Sequence, residues 1–168
     1  KMNLSIVVLT WNDWKNTIDC LQSIIKSNYK NYDVILVDNN SDLKHINFIK
    51  KWQNKKVSCN SKFVIPNNQR FKKIIEIKEN EIIKPKEKGK QNIFLIKNKK
   101  NYGLTKGLNI GYKFSINNKY KYILRVDNDV FIEKNCIQKL LGNLRDEKIA
   151  AISPKILHGH LTETVWWS

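Results

Sequence analysis

The chain reads YKYILRVDNDV over residues 120–130, where a mostly apolar run ends in two carboxylates. The run predicts a buried strand over Tyr120–Val126, because short continuous apolar stretches are typical of parallel strands covered on both faces. Asp127 and Asp129 then stand at its carboxyl end, and Asp38 stands in the same position after an earlier apolar run. Open parallel sheets bind ligands just outside the carboxyl ends of their strands. The three acids therefore predict a binding site at that edge.

The chemistry of these acids indicates what the site would hold. Carboxylates repel one another and lose hydration where they are gathered, so a cationic or hydrogen-bonding ligand would favour the arrangement. A divalent metal carrying a diphosphate fits, because Mg²⁺ and Mn²⁺ combine a few carboxylates with phosphate oxygens. The alternative, in which Asp127 and Asp129 only solvate a turn, stays open on the residues alone.

The apolar pattern alternates between strands and helices along most of the chain. One helix would be capped by Asp13 or Asn12 and would turn a stripe of apolar side chains inward. Alternation of this kind implies right-handed crossovers and an α/β fold, a mainly parallel open sheet with helices on both faces. The predicted strands are Leu4–Leu9, Tyr32–Val37, Ile93–Ile96, Tyr120–Val126 and Ile149–Ile152, and the other predicted helices are Leu43–Trp52, Leu104–Ile116 and Asn135–Leu144.

Residues 53–92 interrupt this rhythm. They carry eleven Lys or Arg against four Glu and supply +7 of the net charge of +16. In their one modest apolar stretch, Ile74–Ile83, apolar and charged residues alternate, which predicts an exposed hairpin or strand pair rather than core. We therefore expect a single domain over residues 1–168, with a basic insertion at about 53–92 that folding does not require.

Charge and cysteine content narrow the class of protein. Of 31 basic residues only three are Arg, and base readout and bidentate phosphate binding favour Arg, so the composition argues against a nucleic-acid partner. Three widely spaced cysteines are typical of reduced thiols in a cytoplasmic protein. No apolar stretch reaches the roughly 18 residues that span a bilayer, and no signal peptide opens the chain. The expected location is the cytoplasm, with peripheral contact of the basic surface at the inner face of the membrane.

A glycine-containing segment, NYGLTKGLNIG at 101–111, joins a predicted strand to its helix. Glycines four apart remove the side chains from one helix face and allow close approach. Close packing on the sheet is the simpler role for Gly107 and Gly111, whereas Gly103 favours a turn that faces a phosphate or sugar. The segment is neither the Gly-x-Gly-x-x-Gly dinucleotide fingerprint nor a Walker loop.

Four motifs follow one another along the chain: IVVLTWN at 6–12, VDNNSD at 37–42, the glycine segment at 101–111 and DNDV at 127–130. In this order they resemble the family-2 glycosyltransferases, in particular their rhamnosyltransferase-like branch. The resemblance implies a Rossmann-like GT-A fold, a nucleotide-diphosphate sugar donor of the UDP, dTDP or GDP type, and Mg²⁺ or Mn²⁺. It also implies inverting, hexosyltransferase-type transfer to a glycan or lipid-linked acceptor.

Site residues follow from the resemblance by position. Thr10 and Asn12 would line the nucleotide pocket, and Asp38 would hydrogen-bond the base or ribose. Asp127 and Asp129 would form the Asp-x-Asp motif, with Asp129 as the direct metal ligand and Asp127 facing the ribose or a metal-bound water. The residues expected to bind the nucleotide sugar are Thr10, Asn12, Asp38, Asn40, Asn101, Gly103 and Asp127.

The resemblance places the general base, an acid on a later helix, beyond residue 168. The remaining candidates are Glu163, His158 and His160. We therefore expect a carboxyl-truncated, donor-binding portion of the fold that transfers sugar poorly or not at all. Three alternatives stay open: a non-catalytic nucleotide-sugar-binding module, a basic nucleic-acid-binding α/β domain, and a sugar-phosphate nucleotidyltransferase. The last would need a Gly- and Arg-rich loop after the first strand, which TWND at 10–13 is not.

Overall fold

Five parallel strands form a central sheet. A computed structural model describes residues 3–58, 68–81, 91–144, 146, 148–158 and 161–167. The strand order is β3-β4-β2-β1-β5, and each neighbouring pair is parallel. The strands are β1 Leu4–Thr10, β2 Tyr32–Asp38, β3 Ile74–Lys78, β4 Ile93–Lys97 and β5 Tyr122–Asp127.

Helices cover both faces of this sheet, as predicted. On one face a core that includes Ile18, Trp52 and Ile137 packs α1, α2 and α4 against the strands. On the other face α3 packs against β1 and β2 through Leu108 and Phe114. The helices are α1 Trp14–Ile25, α2 Leu43–Gln53, α3 Gly103–Asn117 and α4 Cys136–Asn143, and Glu79–Glu81 forms a 3₁₀ turn.

The sequence predicted the positions of the first two helices correctly. Asp13 caps α1, its carboxylate accepting the Asn16 N–H at 3.4 Å. In α2, Ile46 and Trp52 are buried, whereas Leu43, an apolar residue that would be expected to turn inward with them, is 70% exposed. Leu43 is the first residue of its helix, and side chains lean toward a helix's amino end, so it projects past the covered part of the sheet.

The glycines of α3 allow the helix to lie directly on the strands. A Cβ at Gly107 would lie 2.7 Å from Leu9 Cδ1, and a Cβ at Gly111 would lie 2.6 Å from Val7 Cγ1. Carbon atoms in van der Waals contact are about 3.5–4.0 Å apart. Close helix–sheet packing is therefore the role of these two glycines.

The predicted exposed hairpin within 53–92 is wrong. Ile74–Lys78 is instead β3, a parallel edge strand beside β4. Ile77 is 1% exposed and Phe71 is 3% exposed, and Lys50 of α2 forms an ion pair with Glu76. An edge strand with one covered face shows the same alternation as a hairpin strand, so the pattern could not identify its partner. Residues 59–67 and 82–90 lie outside the described residues.

Two further expectations about strands are wrong. Tyr120–Val126 was expected to be buried, but β5 is the edge of the described sheet and Ile123 is 39% exposed. Residues 149–152 form no strand: Ile149 is 38% exposed and its N–H closes a turn to the carbonyl of Asp146. A short apolar run becomes a strand only where it finds a pairing partner. An antiparallel pair, β6 Ile156–His158 and β7 Leu161–Trp167, follows instead.

Candidate functional site

The parallel register brings the predicted site residues to one end of the sheet. Thr10 pairs with Asp38 across β1 and β2, and Leu9 pairs with Asp127 across β1 and β5. We call the carboxyl ends of β1, β2, β4 and β5, together with the loops that follow them, the carboxyl edge. All of the residues predicted to bind the nucleotide sugar or metal lie on it.

Two loops of this edge hold each other. The Asn12 N–H donates to Ser41 Oγ at 2.8 Å, and the Asp42 N–H donates to Asn12 Oδ1 at 2.8 Å. Asn12 has φ 53° and Asn40 has φ 66°, both in the left-handed region. Asparagine tolerates this region better than most residues, and such conformations persist where surrounding bonds fix them. The loops after β1 and β2 therefore form one fixed unit.

Asp38 is a buried carboxylate within this unit. It is 2% exposed, and its Oδ1 accepts the Ser41 N–H at 3.0 Å. Burial raises the pKa of the Asp38 carboxyl, while hydrogen bonds from Ser41 and the positive charges of Lys97 and His45 act in the opposite direction. A poorly hydrated carboxylate of this kind gains from an N–H or O–H group that a ligand brings to it.

Thr10 takes a more buried position than the resemblance implies. It is 3% exposed, and its hydroxyl lies 2.8 Å from the hydroxyl of Thr17 in α1. Its carbonyl accepts the N–H of Asn39 at 2.9 Å. Thr10 therefore fixes the ends of β1 and β2 against α1.

Asn39 connects the end of β2 to the loop that follows β4, which comprises residues 98–102 and is called the β4–α3 loop. Its Nδ2 donates to Asn101 Oδ1 at 2.7 Å and to the Gly103 carbonyl at 3.2 Å. Its Oδ1 accepts the Tyr102 N–H at 3.0 Å and Asn98 Nδ2 at 3.0 Å. Asn39 is 3% exposed, so these bonds form out of water.

Sequence reasoning missed Asn39. Its neighbours Asp38 and Asn40 were singled out, but turn residues of this type commonly bond only their own backbone. The one available signal was its place between two site residues after a buried strand.

Gly103 opens α3 at the carboxyl edge. Its φ is +75°, which glycine adopts without strain, and its N–H donates to Asn101 Oδ1 at 2.8 Å. A helix amino terminus carries partial positive charge and free N–H groups, both of which favour anions. This left-handed residue lies beside Asn39, and that it faces a phosphate or sugar stays a prediction.

The carboxylates of Asp127 and Asp129 are exposed. Arg125, two residues earlier on the same strand, donates to Asp127 Oδ1 through Nη2 at 2.9 Å and Nε at 3.2 Å. Asn128 between the two acids points the other way and donates to Asp13 Oδ2 at 3.1 Å. The DNDV turn is thereby attached to the start of α1.

Cys20 lies directly beneath this turn. It is fully buried, and its thiol donates to the Asp127 carbonyl at 3.6 Å. Burial raises the pKa of the Cys20 thiol, and the negative charges of Asp129 and Asp127 raise it further. The thiol is therefore a packed, protonated group that supports the turn.

The carboxylates at the DNDV turn suit a metal ion whose remaining ligands would be oxygens of a bound phosphate group. Among the described residues, no three His, Cys, Asp or Glu side chains are placed to share an ion. Mg²⁺ with a bound phosphate substrate needs only one or two carboxylates, and Asp127 and Asp129 supply two. The described residues fit a metal that would bind together with a phosphate-bearing ligand rather than one enclosed by protein.

The candidates for a general base fall elsewhere in the chain. His158 ends β6 and Glu163 lies within β7, and the structure describes neither side chain. His160 lies outside the described residues.

No helix in the described part of the chain has the length and apolarity to cross a bilayer.

This fold and edge define a class of protein. The chain belongs to glycosyl transferase family 2, whose model matches residues 5–79 and 77–168. The family resemblance read from the motifs is confirmed, and the sheet is that of the Rossmann-like GT-A fold. The rhamnosyltransferase-like branch stays a prediction.

Particular relatives are known from structure and sequence. The crystal structure of S. aureus TarS 1-349 in complex with UDP is 19% identical, covers 88% of this chain and 33% of that chain, and has a TM-score of 0.58. The complex of TarS with UDP-GlcNAc covers 88% of this chain and 32% of that chain, again at 19% identity and a TM-score of 0.58. An uncharacterised protein of Methanocaldococcus jannaschii is 42% identical over 66 residues, 39% of this chain and 29% of that protein. This chain therefore spans about a third of the length of these proteins.

Proposed function

We propose that this chain is the donor-binding portion of a glycosyltransferase that uses a nucleotide-diphosphate sugar of the UDP, dTDP or GDP type. One observation carries the proposal: a buried acid, Asp38, and an exposed acid pair, Asp127 and Asp129, meet at one edge of a parallel sheet. Membership of glycosyl transferase family 2 and the structural likeness to TarS, which was crystallised with UDP and with UDP-GlcNAc, support it.

Each part of the carboxyl edge has a task that its chemistry suits. Asp38 accepts a hydrogen bond from the base or ribose, since its carboxylate is buried with few partners. Asn12 and Asn40 shape the nucleotide pocket through their left-handed backbone. Asn101 and Gly103, at the start of α3, border the sugar and diphosphate, where the helix terminus favours negative charge.

A metal completes this proposal. Asp129 would be the direct ligand of Mg²⁺ or Mn²⁺, and Asp127, restrained by Arg125, would face the ribose or a metal-bound water. When bound, the ion neutralises charge on the departing diphosphate. We further propose inverting transfer of a hexosyl group to a glycan or lipid-linked acceptor, with the basic surface in peripheral contact with the membrane.

The arginines argue against a nucleic-acid-binding domain. Arg70 Nε donates to the Trp52 carbonyl at 2.6 Å, and its guanidinium stacks over the Trp52 ring. Arg125 is engaged by Asp127. Arg145 lies outside the described residues. Neither described arginine is presented for reading base edges.

Calorimetric titration with UDP, dTDP and GDP, each with and without Mn²⁺, tests the proposal. At least one nucleotide should bind, and Mn²⁺ should tighten it. Asp129→Ala should remove the Mn²⁺ effect and leave the fold intact, because an exposed acid at a strand end supports no core.

The matched control is Glu133→Ala. Glu133 is another exposed acid on the connection after β5, but it precedes Lys134, whose carbonyl accepts the Asn28 N–H beyond the far end of α1. Its loss should change neither affinity nor Mn²⁺ dependence. Unchanged metal-dependent affinity in Asp129→Ala would remove the metal assignment, and binding of no nucleotide would remove the proposed function.

A further inference from the structure

The 3₁₀ turn after β3 contacts the β4–α3 loop. Lys78 pairs with Lys97 at the ends of β3 and β4, so Glu79 follows directly beside the beginning of that loop. Glu79 Oε2 accepts the backbone N–H of Lys99 at 3.3 Å. The Tyr102 hydroxyl donates to the same carboxylate, at 3.1 Å from Oε1 and 3.3 Å from Oε2. One side chain from the segment 53–92 thus holds both the beginning and the end of the loop.

Tyr102 is held at its backbone as well as its hydroxyl. Its N–H donates to Asn39 Oδ1 at 3.0 Å. The ammonium groups of Lys106 and Lys100 lie 4.3 Å and 5.6 Å from the centre of its ring, within the range of cation–π attraction. Desolvation raises the pKa of the Tyr102 phenol, and its hydrogen bond to the carboxylate of Glu79 raises it further.

Tyr102 lies between Asn101 and Gly103, the two residues proposed to border the donor. It directly precedes Gly103, whose φ of +75° starts α3, and directly follows Asn101, whose Oδ1 accepts the Gly103 N–H. A shift of the Tyr102 ring would therefore move both residues that border the proposed donor. Asn39 restrains this loop from beneath, and Glu79 restrains it from the outer edge strand.

We infer that Glu79 is a positioning residue for the donor, and that the segment 74–81 sets donor affinity by holding the β4–α3 loop through Lys99 and Tyr102. The inference rests on the proposed function, since it concerns the same edge of the sheet. It gives the basic insertion a role in binding without any direct contact with the donor.

A purely structural role is the competing explanation, because β3 also contributes to the core. The two roles can be distinguished by changing the side chains that make the loop contacts while leaving the residues of β3 unchanged. Glu79→Ala removes both contacts, Glu79→Gln restores an acceptor of the same size, and Tyr102→Phe removes the hydroxyl alone. Glu81→Gln is the matched control, since Glu81 lies in the same turn and its carboxylate accepts only the nearby Lys78 N–H at 3.5 Å among the bonds described.

Affinity for UDP, dTDP and GDP with Mn²⁺ is measured by calorimetry for each variant. Tyr102→Phe should weaken binding roughly two- to tenfold, the size of one lost hydrogen bond, and Glu79→Ala should weaken it at least as much, because it also removes the contact with the Lys99 N–H. Glu79→Gln should recover most of the loss. The double variant Glu79→Ala/Tyr102→Phe should bind about as weakly as Glu79→Ala alone, because both changes remove the same contact. Glu81→Gln should bind like the wild type.

Hydrogen exchange of the unliganded protein provides a second readout. The backbone amides of Lys99 and Gly103 should exchange faster in Glu79→Ala and at the wild-type rate in Glu81→Gln. Faster exchange with unchanged affinity would overturn the inference, and so would additive losses in the double variant. If the wild type binds none of the nucleotides, the proposed function fails, and the exchange rates alone still decide whether Glu79 holds the loop.

Discussion

At the residue scale, the carboxyl edge depends on asparagine. Asn12 and Asn40 supply left-handed backbone without glycine, and the side chain of Asn39 both donates and accepts hydrogen bonds across two loops. A carboxylate at position 39 could not donate to Asn101, and an aliphatic residue could do neither. In a chain rich in asparagine, these residues look like ordinary turn formers until their partners are known.

Asp38 should show a conflict between stability and binding. Burial raises the pKa of its carboxyl above the ordinary 3.8, so the native state keeps this proton to higher pH than the unfolded chain does. The contribution of Asp38 to stability is therefore fully present below pH 3.8 and is lost as pH rises through the raised pKa. Asp38→Asn keeps an oxygen for the Ser41 N–H and cannot ionise.

Asp38→Asn should therefore unfold in urea with a higher free energy than the wild type at pH 7, and the difference should close below pH 3.8. Its nucleotide affinity should fall roughly ten- to hundredfold, as for a lost hydrogen bond to a charged group. Asp42→Asn, at an exposed acid in the same turn, is the control for the pH series. A variant less stable than the wild type at pH 7 would show that the Asp38 carboxylate is better solvated than its burial indicates.

At the scale of elements, the difference between the sequence pattern and the structure is greatest at β3. Its alternation of Ile75 and Ile77 with charged residues correctly indicated one apolar face. That face is covered because β3 pairs with β4 and its Ile77 joins a buried cluster with Phe94 of β4 and Phe114 of α3. Helix α1 could be predicted from the sequence, because its cap and its apolar stripe are formed by residues that lie close together along the chain.

Ile77→Ala should lower the free energy of unfolding by about 2–4 kcal/mol, the usual effect of removing a fully buried aliphatic side chain. The measurement is urea denaturation monitored by circular dichroism. Ile116→Ala is the matched control, because Ile116 is 64% exposed on α3 and its loss should change stability by less than about 0.5 kcal/mol. Equally small effects of the two changes would indicate that β3 belongs to an insertion that folding does not require.

At the scale of the whole molecule, the carboxyl edge would be one side of the proposed transfer reaction. The residues proposed to bind the donor come together at this edge, and the resemblance assigns the general base to an acid on a later helix. Transfer needs a base within hydrogen-bond reach of the acceptor hydroxyl. This chain covers 33% of the TarS 1-349 chain.

The 168-residue chain should accordingly bind donor but transfer sugar slowly, with donor hydrolysis as its main reaction. Incubation with UDP, dTDP and GDP sugars and a set of glycan acceptors, followed by mass spectrometry, measures both products. Asp129→Ala should abolish the hydrolysis as well. Rapid transfer by the wild-type chain would contradict this expectation and would direct attention to Glu163, His158 and His160.

The sequence by itself determined what short-range chemistry encodes: the four helices, the strands β1, β2, β4 and β5, a capping side chain before α1, and the acids at the ends of β2 and β5. These depend on neighbours a few residues apart along the chain. Only the tertiary structure decided that β3 completes the sheet, that residues 149–152 remain unpaired with it in the described part of the chain, and that Asn39 and Glu79 hold the β4–α3 loop. Those outcomes depend on contacts between residues 19 to 63 positions apart in the chain, which no local pattern records.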